Sequence, residues 1–310
     1  MLKFLQSSYQ GRLQTSVRYK YYVEDWVKPI RSHLFTTKVE ITDNHFHLDP
    51  QGRKDLAVKD FLNAGGTRLV IVNKPYSPWK KIEKFKEQVN TTLNLANKAR
   101  DVGARVAVVA SPHPIDLVKM LEFKTKSEAS EIYLDAVDFC TKLVDEKVIV
   151  GLGELGRPHF EVDKSIWDLS NQVLLESLKR ARDVDAAAVL HTESGTPEVM
   201  ADISSIASKA NFPKNRLVKH YGGPEAIENP SGIVVSIISS STNIEYASNT
   251  NFDFMLETDY LDDPQRPGAV MGPKTVPRKT LKAIENNILS EEQIYKVHTS
   301  IPDSVYREFI

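Results

Sequence analysis

Short apolar runs rich in β-branched residues alternate along most of the chain with longer stretches whose apolar positions recur at three and four. The short runs are Val39–His47, Thr67–Asn73, Arg105–Ser111, Val148–Glu154, Ala186–His191, Arg216–His220, Gly232–Ser239 and Phe252–Asp259. The stretches between them predict helices. Leu56, Phe61 and Leu62 form one stripe, stopped by Gly65-Gly66, and Ile82, Phe85, Val89, Leu93 and Ala96 form a second, ending near Gly103. Ile132, Ala136, Phe139 and Leu143 make a third, and Ile166, Leu169, Val173, Leu174 and Leu178 a fourth. Apolar strands separated by amphipathic helices imply a parallel sheet covered by helices. Successive strand ends lie 19 to 43 residues apart, and eight such units suit a closed (β/α)8 TIM barrel, a fold of typically ~250 residues. An open doubly wound sheet would carry a glycine-rich turn after an early strand. None is present, and Gly151-Leu152-Gly153 falls inside a strand. The last two crossovers take only 19 and 20 residues, so their helices are expected to be short. The reading is α/β: a single-domain barrel over residues 39–310 with an N-terminal extension over 1–38.

Composition separates that extension from the rest. The chain has 310 residues, with 40 basic against 41 acidic side chains. Its first 40 residues hold seven of the bases and three of the acids, which leaves 33 bases against 38 acids beyond them. The basic segment fits three readings: a packed arm, a targeting segment, or sequence upstream of the true start. The mildly acidic remainder argues against a protein that tracks along duplex nucleic acid by charge. The single cysteine, Cys140, excludes intramolecular disulfides and cysteine-based zinc clusters, and its neighbours make it a buried small hydrophobe. No run of 18 apolar residues exists, so no membrane partner is expected. The expected location is cytoplasmic.

Candidate chemistry gathers at strand ends. His45 and His47 close the first run, and with a period of two both rings face one side. Glu154 closes the fourth, His191 the fifth, His220 the sixth and Asp259 the eighth. A lone buried carboxylate costs several kcal/mol unless paired or bound to metal. Six histidines and carboxylates at the C-terminal ends of barrel strands lie where such barrels keep their chemistry. Nitrogen and oxygen donors without sulfur suit Zn, Mn, Co or Mg and do not select among them. His113 ends the third run and shares the mouth. Arg157, Arg266 and Lys274 are the candidate cations for substrate binding, Arg being suited to bidentate contact with phosphate. Asp49, Glu257 and Thr192 are candidates for orienting imidazoles, and His159 is within reach of the mouth. His298 is expected at the surface or an interface. Glu193, Asp262 and Asp263 are given no role.

Taken together, the His45-Phe46-His47 pair, Gly151-Leu-Gly-Glu-Leu-Gly156, the later single histidines and Glu257-Thr-Asp259 resemble the TatD-related metal-dependent hydrolases of the amidohydrolase superfamily. Ser111-Pro-His-Pro114 and Leu289-Ser-Glu-Glu-Gln-Ile294 resemble further segments of that family, so the likeness spans about residues 39–310. The segment Asp262–Pro277 departs from the bacterial pattern and looks like an archaeal branch. The resemblance implies two divalent metal ions: His45, His47 and Asp259 on one, His191 and His220 on the other, Glu154 bridging. Phosphotriesterase-like and dihydroorotase-like relatives use a carboxylated lysine at that bridge, and here the position is Glu154. The implied activity is that of a phosphodiesterase or deoxyribonuclease with a metal-bridging hydroxide as nucleophile, Asp259 as proton acceptor, and Glu154 and His113 in the catalytic set. Hydrolysis of a C–N or ester bond in a small metabolite is the alternative, so the expected substrate is a small molecule or a DNA end.

Overall fold

The computed structural model describes residues 39–307, so the extension over 1–38 lies outside the described residues. Eight strands follow one another around a parallel barrel: β1 (Thr42–His47), β2 (Arg68–Val72), β3 (Arg105–Val109), β4 (Gly151–Gly156), β5 (Ala187–His191), β6 (Leu217–Gly222), β7 (Val234–Ile238) and β8 (Phe254–Glu257). Each coincides with one of the eight apolar runs. A two-residue strand, β9 (Tyr260–Leu261), continues from β8 and pairs with β1 through Phe46–Tyr260 and His47–Leu261. The eighth strand is therefore broken: β8 pairs with β7, β9 pairs with β1, and the break at Thr258-Asp259 is where the barrel closes. Asp43 fastens that seam. Buried beneath it, the carboxylate accepts from the backbone N–H of Thr258 at 2.9 Å and its hydroxyl at 2.6 Å.

The covering helices are α1 (Asp55–Asn63), α2 (Ile82–Asp101), α3 (Pro114–Met120), α4 (Lys126–Asp145), α5 (Lys164–Asp183), α6 (Pro197–Lys209), α7 (Pro224–Glu228), α8 (Ser241–Ser248), α9 (Thr275–Glu285), α10 (Glu291–Tyr295) and α11 (Ile301–Tyr306). The short crossovers do hold the short helices α7 and α8. Two stripes needed correction. In α1 the buried face is Ala57, Val58 and Phe61, while Leu56 points outward and is 55% exposed. In α4 it is Ala129, Tyr133, Ala136, Val137 and Cys140, one step round the helix from Ile132 and Phe139. Spacing at three and four is satisfied by either set, and only contact with the sheet chooses between them.

Inward residues of the strands form one cluster: Val70, Val72, Ala107, Val109, Ala187, Val189, Val218 and Met255, joined by Val305 and Tyr306 of α11. The C-terminal helix thus packs on the barrel interior, and buried Arg68 on β2 pairs with Asp303 of that helix. His298, expected near the surface, is fully buried. Its Nδ1 accepts from the Thr42 N–H at 3.1 Å and its Nε2 meets the Thr280 hydroxyl at 2.9 Å. The reason is tertiary: α9 and the segment before α11 fold under β1, which nothing in the local pattern shows.

Burial pushes His298 from its ordinary value down to about 4. Between pH 6.5 and 4 the unfolded chain accepts a proton that the folded one refuses, so stability is complete above about 6.5 and falls as pH drops through this window. At pH 5 this one group is expected to cost about 2 kcal/mol relative to pH 7. Urea unfolding at the two pH values should show a smaller loss in His298→Asn than in the parent.

Candidate metal centre

Alternation along a strand would place Glu154 on the face opposite Gly153, away from the barrel axis. The structure overrides it with a bulge. Gly153 pairs with Val189 and Leu155 with Leu190, so Glu154 is an extra residue, and such an insertion re-aims a side chain. The same irregularity recurs twice. Three steps from Asp43 to Phe46 on β1 oppose two from Leu69 to Ile71, placing an extra residue beside His45. Three steps from Lys219 to Gly222 on β6 oppose two on β7, placing one beside His220. Bulges are uncommon in parallel pairing, and here each of three coincides with a candidate ligand. Glycine makes the β4 bulge possible. Gly156 has φ +145°, and a Cβ there would lie 1.9 Å from the His191 carbonyl oxygen.

Glu154 becomes the hub. Its Oε1 is 2.8 Å from His191 Nδ1, 3.4 Å from His220 Nε2 and 3.7 Å from His45 Nε2. Its Oε2 is 3.7 Å from His47 Nε2 and 3.9 Å from His113 Nε2. His45 and His47 meet Nε2 to Nε2 at 3.0 Å, and Asp259 Oδ1 lies 3.9 and 3.6 Å from them. All six residues named for metal binding therefore converge, and three overlapping groups have ligand atoms within 4.8 Å of one another: His45-Glu154-His220, His45-His47-Asp259 and His113-Glu154-His191. At bond lengths of ~2.0–2.1 Å, tetrahedral ligands stand about 3.4 Å apart, a value inside the range of these spacings. The donor set fits divalent metal. Two imidazoles are also oriented for it. His47 Nδ1 is 3.1 Å from the Val72 carbonyl and His220 Nδ1 is 3.0 Å from Glu257 Oε1, which leaves each Nε2 lone pair directed inward.

Electrostatics agree. Burial alone would raise the Glu154 carboxyl, but His191 and His45 beside it hold it well below the usual carboxylate range. Burial opposes charge on His45 too, yet Glu154, Glu257 and Asp259 raise it to about 9. The pocket attracts positive charge. His113 behaves differently, because burial pushes it down to about 3. As the N-cap of α3 its Nδ1 accepts from the Ile115 N–H at 3.1 Å, so the neutral ring carries its proton on Nε2. That assignment follows from the hydrogen bond and makes His113 a donor into the mouth.

The three cations named for substrate sit in ion pairs. Arg157 is buried: its Nε meets Glu193 Oε2 at 2.9 Å, its other nitrogens pair with Glu193, Asp202 and Asn171, and it stacks on Trp167 at 4.5 Å. It clamps the segment after His191, which also supplies the missing role of Glu193. Arg266 is paired to Asp263 at 2.9 Å and Lys274 to Asp60 at 2.9 Å. Of the proposed orienting residues, Glu257 acts so on His220, Asp49 pairs with Lys74, and Thr192 bonds the Glu193 carbonyl at 3.3 Å. Asp262 accepts from the Arg53 and Lys54 N–H groups at 2.8 Å each, at the start of α1. His159 does reach the mouth, its Nδ1 2.8 Å from His191 Nε2. Lys219, near the end of β6, does not occupy the bridging position of Glu154 but belongs to the site's surroundings. It is buried and lines a cavity of about 860 Å³ with His191, His220 and Asp259, and its Nζ donates to the His220 carbonyl at 2.7 Å. A lysine in an otherwise apolar strand was the available signal.

Comparison with known proteins bears on this geometry. The family model described as TatD related DNase matches residues 42–307. The uncharacterized protein MJ1127 of Methanocaldococcus jannaschii is 36% identical over 271 residues, 86% of this chain and 95% of that protein. The TatD-like protein AF1765 of Archaeoglobus fulgidus superposes with a TM-score of 0.60 at 16% identity, over 86% of this chain and all of that one. YjjV, a TatD homologue of Escherichia coli, gives 0.61 at 18%, over 88% and 100%. Among the described residues no helix is long and apolar enough to cross a membrane.

Gly156→Ala is expected to push β4 from β5 and misplace both Glu154 and His191. Elemental analysis after dialysis should show at least half the bound metal lost, with the circular dichroism of the barrel retained. Arg157→Met should instead lower stability by about 1–3 kcal/mol, because it removes the buried guanidinium's hydrogen bonds and leaves the partly exposed Glu193 without its partner, as read by urea unfolding.

Proposed function

The chain belongs to the TatD-related DNase family, and from that premise we propose that this metal-dependent hydrolase is a phosphodiesterase acting on DNA ends. The observation that carries the reading is the double engagement of Glu154, one oxygen facing His45, His191 and His220 and the other facing His47 and His113. A carboxylate set between these imidazoles would suit two cations, the first held with His45, His47 and Asp259 and the second with His191 and His220, His45 lying beside His220 where the two sets meet. Divalent ions there would stabilise phosphoryl oxygens and make water more acidic. The remaining work falls to side chains. Burial would raise Asp259, but its hydrogen bond to His47 and the charges of His220 and His45 lower it. Asp259 thus stays ionised, and with 18% of its side chain exposed it can take a proton from attacking water. His113 offers its Nε2–H to a phosphoryl oxygen. The mildly acidic charge beyond the first 40 residues favours gripping one strand end over tracking a duplex.

A second reading, hydrolysis of a C–N or ester bond in a small metabolite, is favoured by the cavity of about 860 Å³ beside the cluster, a volume common for small-molecule sites. The two are separated by assaying single-stranded DNA and a nitrophenyl phosphodiester with Mn²⁺ or Mg²⁺, alongside lactones and cyclic amides. Turnover of the phosphodiesters, abolished by chelator, is the expected result. Absence of turnover with metal demonstrably bound would overturn the proposal. Asp259→Asn should lower kcat by roughly 10²–10⁴, and Glu154→Ala should take two equivalents of metal to one or none.

A further inference from the structure

Tyr221 follows candidate ligand His220 at the bulge of β6, and its backbone is unfavourable for its side chain. At φ +54° it occupies the left-handed region, where a bulky non-glycine residue is a genuine outlier. The conformation is locked from below, the Tyr221 N–H donating to Glu257 Oε1 at 2.7 Å. Glu257 is the same carboxylate that orients His220. Locking the backbone so does not explain the side chain, because glycine would fit it with less strain. The ring is 53% exposed, meets the His220 imidazole edge to face at 5.8 Å, and lines the cavity that also holds His191 and Asp259. A large aromatic group kept half in water on a strained backbone contributes little to the core, and strain of this kind gathers at sites of function.

A second exposed ring stands next to the other side of the ligand set. Phe160 is 41% exposed and lies at 89° to His159, centroids 5.4 Å apart. His159 in turn touches His191 at 2.8 Å. Tyr221 thus touches candidate ligand His220 directly, and Phe160 reaches candidate ligand His191 through His159.

We propose that Tyr221, aided by Phe160, is a stacking platform for an unpaired nucleobase, so that the site takes the unstacked end of a single strand and reads bases by their faces without regard to sequence. The proposal rests on the phosphodiesterase reading above and specifies its substrate. Bases of every type present a π-face, and an aromatic side chain at a phosphate site binds single strands in this sequence-tolerant way. A base inside a duplex has both faces covered by its neighbours and cannot use the platform.

The test compares a single-stranded oligonucleotide with one of the same length whose terminal residues are abasic. Both hydrolysis and binding are followed, the latter by fluorescence anisotropy. The parent should prefer the base-bearing end by roughly five- to a hundredfold in kcat/KM. Tyr221→Ala should bring that ratio toward one, Phe160→Ala should lower it less, and Tyr221→Phe should restore it. Equal hydrolysis of both ends by the parent, or an unchanged ratio in Tyr221→Ala, would overturn the platform while leaving the phosphodiesterase reading intact. If neither oligonucleotide is cut, anisotropy decides: a base preference that depends on Tyr221 keeps the platform and removes the phosphodiesterase, and no preference removes both. Tyr221→Gly supplies the structural control. Its thermal midpoint should hold or rise, since backbone strain is relieved, and a fall of several degrees would assign the ring to packing instead.

Discussion

Glu154 carries a negative charge almost wholly out of water, 4% exposed in the mouth of an apolar barrel. Such a charge costs several kcal/mol unless positive charge is supplied at close range, and the imidazoles of His45, His47, His191 and His220, from three strand ends, supply it or would hold the metal that replaces it. This requirement organises the upper half of the molecule. It explains why β1, β4 and β6 each insert one residue where the others keep regular pairing. It also explains why β4 is built from alternating glycines, since Cβ atoms at 151, 153 and 156 would run into β5.

The lower half answers to a different constraint. There the barrel is filled with small and branched apolar side chains and packed by α11, and its buried polar groups are paired: Arg68 with Asp303, His298 with Thr42 and Thr280. Between the halves runs the seam of the broken eighth strand. Asp43 ties Thr258 to β1, Asn44 bonds the Leu256 carbonyl at 3.1 Å, and Asp259 emerges immediately after with φ +48°. Closure of the barrel and placement of one ligand are thus one event. The clamp of Arg157 on Glu193 and Asp202 does for the His191 segment what the seam does for Asp259. Both fix strand ends in place, as metal coordination there would demand.

Charge at the mouth follows from these two tasks. Arg157, Arg266 and Lys274 are engaged by carboxylates, so the groups left facing the cavity are the His, Glu and Asp cluster, the His113 N–H and apolar and aromatic surface. Such a mouth favours gripping a substrate locally at its reacting group over holding long stretches by charge. That agrees with the slight acidity of the chain beyond its basic first segment.

The eight strands, their parallel order and the six residues that converge at the barrel mouth were legible in the sequence, because each depends on a local signal. Apolar runs set the strands, and histidines or carboxylates at the ends of such runs have few other uses. Helix faces were less legible: Leu56 and Ile132 satisfy the spacing as well as the residues actually buried. The burial of His298, the break in the eighth strand and the pairing of Arg157 join residues distant in sequence. Glu154 marks the boundary between the two kinds of knowledge. Its identity and strand were readable, but strict alternation would have turned it outward. Only the pairing register of β4 against β5, a property of two strands together, turns it toward the axis.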